Sequence, residues 1–149
     1  MKLVVQKVQH SSVTIDGEVH GEIKEGFMVL VGFTHSDNEQ IIDKMIDKLI
    51  HLRVFIDEND KMNLSLLDVG GSVLSISQFT LYANCKKGRR PSFIDAAKPD
   101  IASPLYDYFN QRLRTLGIET QTGIFGADMK VSLVNDGPIT IILDSDEIF

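Results

Sequence analysis

The stretch SQFTL (77–81) sets a hydroxyl, a carboxamide, an aromatic ring and a second hydroxyl at consecutive positions: Ser77, Gln78, Phe79 and Thr80. Such a set can hydrogen-bond a substrate through Ser77 and Thr80, while its backbone N–H groups stabilise a developing oxyanion. Covalent chemistry at Thr80 would need a general base beside it, and the motif holds no histidine. On a strand, Leu74, Ile76, Gln78 and Thr80 share one face and Ser75, Ser77, Phe79 and Leu81 the other. Both faces then mix apolar and polar groups. Two readings stay open here: an edge strand with satisfied hydroxyls, or a strand whose end opens into a pocket.

Two further stretches carry chemistry. NCKKGRRPSF packs Lys86, Lys87, Arg89 and Arg90 around Gly88, either a solvated loop or a contact for a phosphate backbone. VNDGPIT (134–140) puts a proline directly behind a glycine, between the apolar runs KVSLV and ITIIL. Proline gives no N–H to a ladder, so Pro138 belongs in a turn or at a strand's first residue, with 135–137 reversing the chain. The remaining candidates are weaker. His10, His20, His35 and His51 share no metal-ligand spacing, so no metal is expected. The lone Cys85 has no histidine near it in sequence, and VGGS (69–72) reads as a turn rather than a phosphate loop.

The elements that must position these residues follow from periodicity. The opening is rich in β-branched residues and cut by DG and EG, predicting strand, hairpin and strand with Asp16-Gly17 as the first turn. FMVLVGF (27–33) is apolar on both faces, as a doubly covered strand should be. Ser36 and Glu39 have capping-box spacing, and Ile41, Ile42, Met45, Ile46, Leu49 and Ile50 then recur at helical spacing. RVFID reads as a strand, and SVLSISQFTLY as another along its whole length. A second helix is predicted from about Ser103, with Pro104 in its first turn and Gly117 closing it. IETQTGIF, KVSLVN and ITIIL make three final strands.

Many strands and few helices give an α+β class: a largely antiparallel, curled sheet or barrel with two helices packed outside. The chain has 149 residues with 43% hydrophobic and 24% charged content, ordinary for one globular domain spanning 1–149. No apolar run approaches the roughly 20 residues of a membrane span, and MKLVVQKVQH makes no signal peptide. One cysteine permits no intramolecular disulfide, in keeping with the cytoplasm. A net charge of −6 argues against coating DNA or RNA through the overall field, leaving room only for a local basic patch.

SQFTL (77–81), KKGRRPSF (86–93) and GADMKVSLVNDGPIT (126–140) together resemble the D-aminoacyl-tRNA (D-tyrosyl-tRNA) deacylases, and the opening VVQKV and VLVGF match as well. The likeness runs from end to end. It implies the deacylase-type fold and an enzyme that hydrolyses the ester joining a D-amino acid to tRNA. It implies no cofactor, and a homodimer in which the Gly-Pro element of one subunit reaches the pocket of the other. Carried over, Gly137-Pro138 would be a cis bond whose carbonyls stand where an L-side chain must go, so chirality is enforced by rejection. Glycyl-tRNA, including glycine mischarged on tRNA-Ala, would then enter.

The resemblance further implies RNA-assisted catalysis, in which the 2′-hydroxyl of the terminal adenosine helps activate water while Ser77, Gln78, Phe79 and Thr80 supply donors and positioning. That version is favoured over a Thr80 acyl-enzyme. Ala102, Phe125 and Met129 fall at positions similar to the family's adenosine and pocket walls, and Lys86, Lys87, Arg89 and Arg90 would meet tRNA phosphates. Two departures stand out: Lys7 where the family usually carries arginine, and Ile139 in place of valine. Lysine lacks the planar fork of arginine, so support of the Gly-Pro element is expected to differ. The competing readings are a non-catalytic tRNA-binding module of the same fold and a small-molecule hydrolase using Thr80 or Cys85.

Overall fold

The computed structural model describes every residue from Met1 to Phe149. Strands β1 (Lys2–Ile15), β2 (Glu18–Ile23) and β3 (Gly26–Gly32) lead into helix α1 (Glu39–His51). A small ribbon, β4 (Phe55–Ile56) and β5 (Met62–Leu64), and one turn of helix, α2 (Leu66–Val69), precede β6 (Ser72–Ser77). A 3-10 turn (Phe79–Tyr82), helix α3 (Pro99–Thr115), strands β7 (Thr120–Thr122) and β8 (Lys130–Asp144), and the short α4 (Ser145–Ile148) complete the chain.

The main sheet runs β2-β1-β3-β6-β7, with β8 on the other edge of β1. As the strand content predicts, the class is α+β, and β1 pairs antiparallel with β2, β3 and β8. The β3–β6 and β6–β7 pairings are parallel, however. Each needs a crossover, and α1 and α3 are carried in those two crossovers. The sheet curls until β2 meets β7, where the His20 ring N–H donates to the Thr122 carbonyl at 2.8 Å.

Strand parity divides the apolar residues between two cores. Phe27, Val29 and Val31 of β3 face α1 and α3, where they join Ile42, Met45, Ile46, Leu49, Tyr106, Phe109 and Leu113. Met28 of β3 and Leu74 and Ile76 of β6 point into the curl with Val8 and Val13. On β1 the parity changes: Leu3 and Val5 face the helices, whereas Val8 and Val13 face the curl. The cause is a bulge. Val8 pairs with Asn135 and His10 with Val134, which leaves Gln9 as an extra residue.

Several local expectations are corrected. Asn38, not Ser36, caps α1, its Oδ1 accepting the Ile41 N–H at 3.0 Å. Ser36 is held in a preceding turn that Asp37 closes by accepting the Thr34 N–H at 2.7 Å. Helix α3 starts four residues before Ser103, with Pro99 at its N-terminus and Pro104 inside it. Pro104 is exposed, so the carbonyl it leaves unpaired can turn to water. Gly117 does follow the helix in the left-handed region at φ 84°, and the Ile118 N–H reaches back to the Leu113 carbonyl at 3.1 Å. The Asp16-Gly17 turn is present, with both residues at positive φ.

Asp37 also ties distant parts of the fold together. Its Oδ1 lies 2.7 Å from the α-ammonium of Met1, which donates in addition to Ser145 Oγ at 2.8 Å. Both partners are buried. Asp37→Ala would strand a buried ammonium, and the expected loss is about 3–5 kcal/mol of unfolding free energy, read from the denaturant midpoint.

Candidate active site

Strand β6 ends at Ser77, so the predicted strand through Tyr82 is replaced by a 3-10 turn over FTLY. The Gln78 N–H still donates to the Val31 carbonyl of β3 at 2.8 Å, and the chain then folds back on itself. Close approach at Gly32 permits this. A side chain there would put its Cβ 3.0 Å from both the Gln78 carbonyl oxygen and Leu81 Cβ. The first hydrogen bond of the turn runs from the Leu81 N–H to the Gln78 carbonyl at 3.3 Å. The amides of Phe79 and Thr80 precede it and gain no partner from the turn itself. The Gln78 side chain donates through Nε2 to Thr80 Oγ1 at 2.6 Å, and no histidine, lysine or carboxylate contacts that hydroxyl.

The turn borders a cavity of about 570 Å³. Ile76, Ser77, Gln78 and Phe79 form one wall, and Phe93 with Ala96, Ala97, Lys98 and Pro99 a second. The third is the β7–β8 connection, including Phe125, Asp128 and Met129. Phe79 and Phe93 meet edge to face at the rim, centroids 5.0 Å apart. Met129 is seated over Gly123, where any Cβ would collide with its sulfur. Beneath the cavity, Tyr106 O–H donates to the Ser75 carbonyl at 2.7 Å, and its ring lies 6.2 Å from that of Phe125. Burial raises the Tyr106 phenol above its ordinary value, so this donor keeps its proton at neutral pH.

The structure thus brings Ser77, Gln78, Phe79, Phe125 and Met129 together. Thr80 sits just behind the wall, half-buried and engaged by Gln78. Ala102 does not line the cavity; it is buried in the main core on α3. Lys86, Lys87, Arg89 and Arg90 lie exposed on a loop closed by reciprocal backbone bonds between Asn84 and Ser92, at 2.7 and 2.9 Å. That loop leads directly into Phe93 at the rim, and none of the four cations pairs with a carboxylate of the chain. Cys85 on the same loop is exposed. Lys98 and Asp128 escaped the sequence reading because each lies outside a recognisable charge pattern.

The Gly-Pro element is not a hairpin turn. Strand β8 keeps one direction for 15 residues, antiparallel to β1 on both sides of the glycine. Asn135 pairs with Val8 and Thr140 with Gln6, so residues 136–139 leave the ladder opposite Lys7 alone. The Gly137-Pro138 bond is cis. Both residues are exposed and neither lines the cavity of its own chain. Lys7 is only 6% exposed, its Nζ 3.8 Å from Asp136 Oδ2 and 5.5 Å from the Phe55 ring centroid. Ile139 returns the chain to the main core.

Residues 4–144 match the family described as D-Tyr-tRNA(Tyr) deacylase. The chain is 58% identical to the D-aminoacyl-tRNA deacylase of Thermus aquaticus over 147 residues, 99% of this chain and 97% of that one. It is 60% identical to the protein of the same name from Bacillus pumilus (strain SAFR-032), over 99% of this chain and all of that one (100%). Among solved structures, the c-Myc DNA Unwinding Element Binding Protein superposes with a TM-score of 0.91 at 38% identity, covering 97% of this chain and 98% of the other. A probable eukaryotic D-amino acid tRNA deacylase gives 0.83 at 17% identity over 95% and 97%, a likeness of fold alone.

Proposed function

The chain belongs to the D-Tyr-tRNA(Tyr) deacylase family, and from that premise we propose how it removes D-amino acids from tRNA. The terminal adenosine and the aminoacyl group occupy the cavity beside Ser77, Gln78 and Phe79. Water attacks the acyl carbon, the ribose oxygen leaves with a proton, and free D-amino acid and tRNA result. The 2′-hydroxyl of the terminal ribose helps activate that water, while the Phe79 and Thr80 amides face the oxyanion. The observation that carries this reading is the Gln78–Thr80 hydrogen bond: the Thr80 hydroxyl, the candidate nucleophile of the motif, has a donor beside it and no base.

Gly137 and Pro138 act as the chiral gate in the cavity of a second copy. Their exposure, and their absence from the cavity of their own chain, support this reading. So does the free outer edge of β8, which presents Val134 and Ile142 at 40% and 69% exposure. A strand edge this long, paired on one side only, is suited to pairing with another chain. A gate that rejects side chains on one side only admits glycine, so glycyl-tRNA is a substrate too. The place of action is the cytoplasm, where tRNA is charged; no helix is long and apolar enough to cross a membrane.

Lys86, Lys87, Arg89 and Arg90 hold the phosphate backbone, which positions tRNA without reading its sequence. Replacing all four by alanine should raise KM for aminoacyl-tRNA more than it changes kcat. The dependence of log KM on log salt should flatten by about 3, at roughly 0.7–0.9 per lost contact. Steady-state kinetics at several salt concentrations measure both.

The deciding test of the reaction is a paired assay with D-Tyr-tRNA and L-Tyr-tRNA. Release of D-tyrosine with the L-ester untouched is expected. Binding of tRNA without hydrolysis of either ester would instead mark a non-catalytic tRNA-binding module.

A further inference from the structure

The excursion at 136–139 removes four residues of β8 from the ladder, and backbone that leaves a ladder needs other partners. For the last of them, Ile139, one side chain supplies both. Asn135 Oδ1 accepts the Ile139 N–H at 2.7 Å, and its Nδ2 donates to the Ile139 carbonyl at 3.0 Å. The carboxamide thereby imitates a peptide group, pairing with both backbone groups of the residue that follows Pro138. The same Nδ2 also lies 3.2 Å from Gln6 Oε1 on β1 and 3.2 Å from Thr140 Oγ1. Its two hydrogens are therefore shared among three oxygens, which draw together the two ends of the excursion and the neighbouring strand.

The Ile139 side chain is fixed as well. It packs on the main core, and its Cγ1 stands where a Cβ on Gly137 would come within 2.8 Å. Beyond Asn135, the excursion's only ionic tether is the single contact from Lys7 to Asp136, a point charge at 3.8 Å. Direction therefore has to come from the carboxamide.

We propose that Asn135 is a positioning residue for substrate chirality, setting the orientation in which Gly137 and Pro138 are presented. This rests on the reading of those two residues as the chiral gate. Asn135 touches no substrate; it acts through Ile139 on the two residues before it. Asn135→Ala loses all four contacts, whereas Asn135→Asp keeps the acceptor for the Ile139 N–H and loses the donor to the Ile139 carbonyl.

The readout is the ratio of L-Tyr-tRNA to D-Tyr-tRNA hydrolysis, which a purely structural role would leave alone because it slows both substrates together. Asn135→Ala should raise that ratio by about tenfold or more, with Asn135→Asp in between. A Gly137→Ala, Pro138→Ala double variant is assayed alongside. If the double variant raises the ratio and folded Asn135→Ala does not, the role given to Asn135 is overturned while the gate stands. If the double variant leaves the ratio unchanged, the gate reading fails and this inference with it. Should Asn135→Ala not fold, hydrogen exchange in the unaltered protein decides. Protection of the Ile139 amide supports the clamp, and exchange as fast as at Gly137 overturns it.

Discussion

A tRNA ending in 2′-deoxyadenosine and charged with a D-amino acid is expected to be hydrolysed about 10²–10⁴-fold more slowly than the ribose substrate. That range is what a positioned general acid–base group typically contributes, and no side chain of the cavity wall formed by residues 76–79 can replace it. Thr80→Val, by contrast, should stay within about tenfold of the unaltered enzyme, because it removes one neutral hydrogen bond. The geometry explains the asymmetry. Thr80 Oγ1 receives the Gln78 amide at 2.6 Å, and nothing beside it can take its proton. Single-turnover hydrolysis of the two substrates by the two enzymes measures all four rates. Loss of activity in Thr80→Val with an undiminished rate on the deoxy substrate would reverse the assignment and restore an acyl-enzyme.

Hydrolysis of L-aminoacyl-tRNA should emerge when Gly137 and Pro138 are both replaced by alanine. Gly137 sits at φ 146°, a conformation L side chains rarely adopt, and an added Cβ would press on Ile139 Cγ1 at 2.8 Å. The double variant must therefore move the carbonyls that the gate reading places against an L-side chain. Carbonyls displaced by even part of an ångström should relax a steric rejection of about 1–3 kcal/mol, the scale of one methylene in a pocket, and raise L-ester hydrolysis roughly tenfold to a hundredfold. Competition between D- and L-Tyr-tRNA in one reaction reads the change directly. An unaltered preference in a folded double variant would remove Gly137-Pro138 from the account of chirality.

Legibility in the sequence followed the range of the forces involved. The Asp16-Gly17 hairpin, the apolar face of α1 and the glycine closing α3 were all visible, because each depends on residues within a few positions of one another. The start of α1 was misplaced because Asp37 draws the preceding turn toward Met1, a partner 36 residues away. The start of α3 was misplaced because Pro104 reads locally as a first-turn residue, although an exposed helix face tolerates it one turn later. In the candidate site, Ser77, Gln78 and Phe79 were legible as chemistry. Ala102 was carried over by likeness of position, and packing on α3 turned it inward.

By itself the sequence determined the chemical inventory: the donors of SQFTL, the cations of KKGRR, the glycine and proline of VNDGPIT, and the family those motifs mark. Residue identity and spacing are enough for that. Only the tertiary structure decided that β6 stops at Ser77, since this depends on Gly32 of another strand leaving room for the chain to fold back against it. Only there, too, does 136–139 become an excursion rather than part of a reversal. The register of β8 is set by pairing with β1, across 129 residues between Gln6 and Asn135, and no local preference for a turn can report it.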